Sequence, residues 1–141
     1  MNNILKSLLL VIAFGFAASL SARADHPAYL HALSDLRLAR AYVSYGNVGQ
    51  QGSYVIAEID RAINEIKVAS IDDGKGLGDH PPIDATLDFH GRFHRARDLL
   101  DHAHRDVNQE EDNDFAQGLK HRALEHIDKA HRTLSDIIAG W

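Results

Sequence analysis

Apolar residues recur at alternating spacings of four and three along four stretches of the chain, and glycine-rich or polar breaks separate the stretches. Tyr29, Leu33, Leu36, Arg40 and Val43 mark the first, and Val55, Ile59, Ala62, Ile66 and Ala69 the second. Phe89, Phe93, Ala96, Leu100, Ala103 and Val107 mark the third. Ala123, Ile127, Ala130, Leu134 and Ile137 mark the fourth, extended backward by Phe115 and Leu119. That period places each set on one face of a helix and is the seam of a packed bundle. No stretch alternates with period two over six residues, so no sheet is predicted.

The breaks carry helix-ending chemistry. Residues 46–52 hold three glycines, and residues 70–82 hold Gly74, Gly76 and Gly78 before Pro81-Pro82. Asp84 is placed to cap the third helix, and Asp114 with Gln117 to cap the fourth. Four helices with short links predict an all-α, antiparallel up-down-up-down four-helix bundle. A faint repeat runs through it. Glu58-Ile59-Asp60-Arg61-Ala62 resembles His126-Ile127-Asp128-Lys129-Ala130, and His31, Asp35 and Leu36 match His94, Asp98 and Leu99. Duplicated helical hairpins would leave this trace, and so would any two amphipathic helices.

Ahead of the first helix, Lys6, the uncharged stretch Leu8–Leu20 and Ala22-Arg23-Ala24 have the form of a secretory signal peptide with an A-x-A cleavage site. The uncharged stretch would make about 20 Å of helix against a hydrocarbon core of ~30 Å, which favours cleavage over a membrane anchor. The expected organisation is a signal peptide at 1–24 and a bundle domain at 25–141, periplasmic or secreted, with no stable membrane insertion after cleavage.

Of 141 residues, 45% are hydrophobic and 25% charged, and 117 would remain after cleavage, enough for one core. Cleavage removes Lys6 and Arg23, which takes the net charge from −5 to −7 and argues against a nucleic-acid partner. The chain has no Cys, and its one Met is Met1. It therefore carries no disulfide and no thiolate or thioether ligand, and lacks the CxxCH attachment of a c-type haem. No seam position is His, and the small Ala seam residues bring helices close, so no cofactor is expected inside.

Ten His among these residues are the compositional outlier. His90 and His94 stand at i and i+4, within reach of one ion, and Asp101 projects to the same flank, with Asp98 as a substitute. This is a half-site suited to Zn(II), Cu(II) or Ni(II), set against a bland reading as a polar helix flank with Arg97 opposing a cation. Gly91 stands where a metalloprotease HExxH motif needs Glu. After cleavage His26 would lie beside the new amino terminus, where amine, amide and imidazole chelate Cu(II) in a plane. His102, His104, His121, His126 and His131 diverge around their helices and read as surface residues, although a contact between helices could pair His126 with His90 or His94.

Asp72, Asp73, Asp79 and His80 crowd the glycine-rich loop, which fits neither the EF-hand nor the P-loop pattern; they could line a ligand or partner site, but the loop reads best as a crossover at the bundle end. Arg40, a charge on a seam, should reach a carboxylate such as Asp60, Glu65 or Asp98, or snorkel to water. There is no G-x-S-x-G and no thiol nucleophile, so an enzyme is not expected. The leading expectation is a non-catalytic binding or interaction module for a protein or small ligand of unspecified kind. The alternative is a periplasmic transition-metal binding or buffering protein.

Three stretches also carry a likeness. His26-Pro27-Ala28-Tyr29-Leu30-His31-Ala32-Leu33-Ser34-Asp35-Leu36 is one, and the loop from Asp72-Asp73-Gly74-Lys75 to Asp79-His80-Pro81-Pro82 is another. His121-Arg122-Ala123-Leu124-Glu125-His126-Ile127 is the third. Together they resemble a group of small secreted bacterial helical-bundle proteins of unassigned function. The resemblance would span most of the mature chain and implies an exported bacterial protein, without bringing an activity or a ligand.

Overall fold

A computed structural model of the chain describes residues 27–46, 48–69, 72–110 and 118–141. They form four helices: α1 (Pro27–Ser44), α2 (Gly49–Ala69), α3 (Phe89–Gln109) and α4 (Leu119–Ala139). Among the described residues none of these is long and apolar enough to cross a membrane. Residues 1–24, where a leader is expected, and His26, Asp114 and Gln117 lie outside the described residues.

The predicted stripes are what the helices bury. Leu33, Leu36 and Val43 of α1, Val55, Ile59, Ala62 and Ile66 of α2, Phe93, Ala96 and Leu100 of α3, and Ala123, Ile127 and Leu134 of α4 meet in one core. Phe89 and Ile137, at the ends of their stripes, and Arg40, within the first, are only partly buried, and Phe115 lies outside the described residues. Burial of each Val, Leu, Ile or Phe is worth roughly 1.5–3 kcal/mol, so this shared interior holds the fold without a disulfide.

The order of helices around the core departs from simple alternation. α1 packs on α2 and α3, and α4 packs on α2 and α3, while α2 and α3 face each other across the diagonal. Every neighbouring pair is antiparallel. Glu110, just past the end of α3, reaches the start of α1, whereas Arg92 near the start of α3 lies over the ring of Tyr45, just past the end of α1. Glu65 meets Arg122 and Glu58 meets His126, so α2 and α4 run oppositely. Helices α2 and α3 therefore run the same way, and the direction along the chain is up-down-down-up.

That difference has a physical cause. A link between parallel helices must return along the whole bundle, about 27 Å for an 18-residue helix, and residues 70–88 are long enough to do so. The loop lies beside α1 rather than across the bundle end. Lys75, Gly78, His80 and Pro81 stand by Leu30, Ser34 and Arg37, and the Asp84 amide donates to the Tyr42 hydroxyl at 2.8 Å.

The arrangement also bears on the internal repeat. Glu58 and His126 are equivalent positions of that repeat, and they bond to each other. A residue that meets its own equivalent sits where a two-fold axis passes, as in an isologous interface. The packing of α1 on α3 and of α2 on α4 is the packing two duplicated hairpins take about such an axis.

Caps are drawn from nearby and distant residues alike. Asp88, not Asp84, caps α3: its Oδ1 accepts from the Gly91 amide at 2.7 Å. Asp84 instead closes a turn by accepting from the Thr86 amide and hydroxyl, and these bonds hold its carboxyl below the usual range. Gly118, at φ +84°, precedes α4 in the left-handed region that glycine tolerates. The start of α1 is capped from another helix, since Glu110 Oε1 accepts from the amides of Ala28 and Tyr29 at 3.1 and 3.3 Å.

Candidate functional sites

Three places bring chemically capable side chains together. The first is an open cleft of about 640 Å³ between α1 and the crossing loop, lined by Leu30, Ser34, Arg37, Asp73, Lys75, Gly78, Asp79, His80 and Pro81. Arg37 forms its floor. The side chain is 1% exposed, and its fork grips Asp73, Nη1 to Oδ2 and Nη2 to Oδ1, both at 2.8 Å. Nη2 also donates to the Lys75 carbonyl, which accepts from Lys67 Nζ as well. Burial pushes the Asp73 carboxyl up. The bonds from Arg37 and the Lys75 amide, with the Arg37 charge, outweigh that and hold it below the ordinary carboxylate range. Asp72 closes the same corner, accepting from Lys67 and the Gly74 amide, which hold its carboxyl low.

On the outer wall, Asp79 Oδ2 accepts from the Gly76 amide at 2.6 Å. His80 Nδ1 lies 2.7 Å from the Pro81 carbonyl, so that nitrogen donates to it. Of the loop residues singled out in the sequence, Asp73, Asp79 and His80 line the cleft, and Asp72 braces it from behind. Arg37 escaped the sequence reading because it lies one position beside Leu36 of the seam and its partner is 36 residues away.

A second place is a polar seam between α2 and α4. Glu58 is 2% exposed. It accepts from Arg61 on one oxygen, and its other oxygen lies 2.6 Å from His126 Nδ1. The expected surface position of His126 is thus a partly buried one, and its partner is Glu58 rather than His90 or His94. Other imidazoles also lie against carboxylates across helix boundaries: His104 by Asp128 at 3.4 Å, His131 by Asp101 at 3.1 Å, and His102 by Asp35 at 3.9 Å. Burial raises the Asp35 carboxyl, with the charge of His102 opposing. Arg40 finds Asp60, one of its three expected partners, at 2.6 Å.

The third place is the start of α3, where the ring of His90 stacks on Trp141 with centroids 4.1 Å apart and planes 11° apart. Phe89, Phe93 and His94 surround the same indole at 5.4, 5.6 and 6.3 Å. Gly91 does not end the helix, because it occupies the position that the Asp88 cap serves, so His90 and His94 share one continuous helix. Asp101 is drawn away to His131. Among the described residues, no group of three His, Asp or Glu is placed to hold a metal ion.

No protein-family model matches the chain, and searches of curated proteins and of solved structures find no match either.

Proposed function

We propose that this protein is an exported, non-catalytic binding module whose ligand site is the cleft between α1 and residues 73–81. The observation that carries the reading is the buried Arg37–Asp73 fork. It fixes a glycine-containing loop against a helix and holds open a cavity of a size ordinary for small-molecule sites, roughly 300–1,000 Å³. The charges of Arg37 and Asp73 cancel, and Lys75 and Asp79, of opposite sign, both line the opening. The wall adds the Ser34 hydroxyl and the apolar surfaces of Leu30 and Pro81. This suits a small ligand, near neutral overall, with polar and apolar faces.

A binding role is favoured over catalysis because the polar groups of the cleft are committed to holding the loop: Arg37 to Asp73, Asp79 to Gly76, His80 to Pro81. Export is supported by the leader-like first 24 residues. The likeness to small secreted bacterial proteins agrees with it.

The test is an NMR screen of small zwitterionic and polar compounds against the mature chain. A binder is expected to shift Leu30, Ser34, Lys75, Asp79 and His80 and to lose at least tenfold in affinity in Ser34→Tyr, which fills the cleft without touching the fork. Shifts centred elsewhere, or binding untouched by that substitution, would overturn the reading. Export is tested by expressing residues 1–141 in a bacterium and sequencing the product. An amino terminus at Asp25 is expected, and retention of residues 1–24 contradicts it.

A further inference from the structure

Seven of the nine described imidazoles fall into two groups, with His31 and His121 exposed elsewhere on α1 and α4. His80, His102, His104, His126 and His131 each lie by a carbonyl or a carboxylate. His90 and His94 are exposed, and among the described residues neither has a hydrogen bond or an ion pair. They stand one turn apart on the same side of α3, since both rings meet Trp141.

We propose that His90 and His94 form a copper(II)-binding position on α3, with Trp141 as its wall. Side chains at i and i+4 stand one turn apart on one face, so two imidazoles there can supply two adjacent corners of a square-planar ion. Copper(II) heads the affinity order for such nitrogen donors among divalent first-row metals. Water or a small anion completes the square, because Asp101 is occupied by His131 and among the described residues no third side chain is in place. The site is therefore open and exchangeable.

Cationic neighbours are mostly engaged. Arg92 lies over the Tyr45 and Phe89 rings and donates to the Leu87 carbonyl, and Arg97 lies 3.8 Å from Asp98, one turn beyond His94. The stacked indole shields one side of the His90 ring from water and limits how far it swings, which lowers the ordering cost of binding. This position is separate from the cleft, and its failure would leave the binding-module reading intact.

Trp141 is the only tryptophan and reports directly on an ion held by His90. Copper(II) chloride is titrated into the mature chain carrying His26→Ala, which removes chelation at the amino terminus. Fluorescence is expected to quench saturably at one equivalent. The apparent Kd is expected to rise at least tenfold in His94→Ala and to stay within twofold in His121→Ala, which removes an exposed imidazole elsewhere. Circular dichroism confirms that both variants remain helical. Quenching that does not saturate, or that His94→Ala leaves within tenfold of the parent, or that His121→Ala weakens as much, would overturn the proposal.

Discussion

Arg37 is the side chain on which the most depends. A buried guanidinium is tolerated when every charge near it is matched, and Asp73 supplies the match through two parallel bonds. Removing only the carboxylate leaves an uncompensated cation in the interior. Asp73→Asn is expected to cost about 3 kcal/mol in urea unfolding, and Arg37→Met with Asp73→Leu to recover most of it. Acid should have a related effect. Asp73 is ionised more readily in the folded chain than in the unfolded one, so its contribution is complete above the unfolded carboxyl value of ~3.9. It is lost as pH falls through the lower folded value. The stability difference between the native chain and Asp73→Asn should therefore be constant from pH 7 to 5 and close below pH 4. A difference unchanged at pH 2.5 would contradict the role given to this pair.

At the scale of the helix, the stripes were legible and the partners were not. Spacings of four and three mark out all four helices because burial repeats with the turn of the helix, and Phe93, Ala96, Leu100, Ala103 and Val107 lie buried where the pattern puts them. Asp88 and Asp84 are equally good caps by type. What separates them is where the turn at Thr86 closes, which depends on the Tyr42 contact far along the chain. His90 and His94 were legible as a pair because i,i+4 spacing is local geometry. Asp101 was not separable from them, because His131 competes for it from another helix. Glu110 follows the same rule, capping α1 from a position 82 residues away. Glu110→Ala should cost about 1 kcal/mol, the usual worth of an N-cap. The faster hydrogen exchange should be confined to the first turn of α1. Equal loosening along all of α1 would show that Glu110 does something other than cap.

The whole molecule follows from one topological fact. With α1 neighbouring α3 and α2 neighbouring α4, the two long interfaces join the two halves of the chain, and the repeat-related pair Glu58 and His126 meets near the centre. The connection between α2 and α3 is forced to run beside α1, and the cleft exists because it does. A bundle in which each helix sits beside the next would need no such crossing and would have no cleft. Helix periodicity is silent on this choice, since the same stripes satisfy either arrangement. The length of the break at 70–88 was the one signal available.

A single nuclear Overhauser map of residues 25–141 distinguishes the two arrangements. The structure predicts cross-peaks between the His126 ring and Glu58, between the Asp84 amide and the Tyr42 ring, and between the amides of Ala28 and Tyr29 and the Glu110 side chain, with none joining the backbones of α2 and α3. Strong contacts between α2 and α3 with none between α1 and α3 would contradict the account and remove the cleft with it.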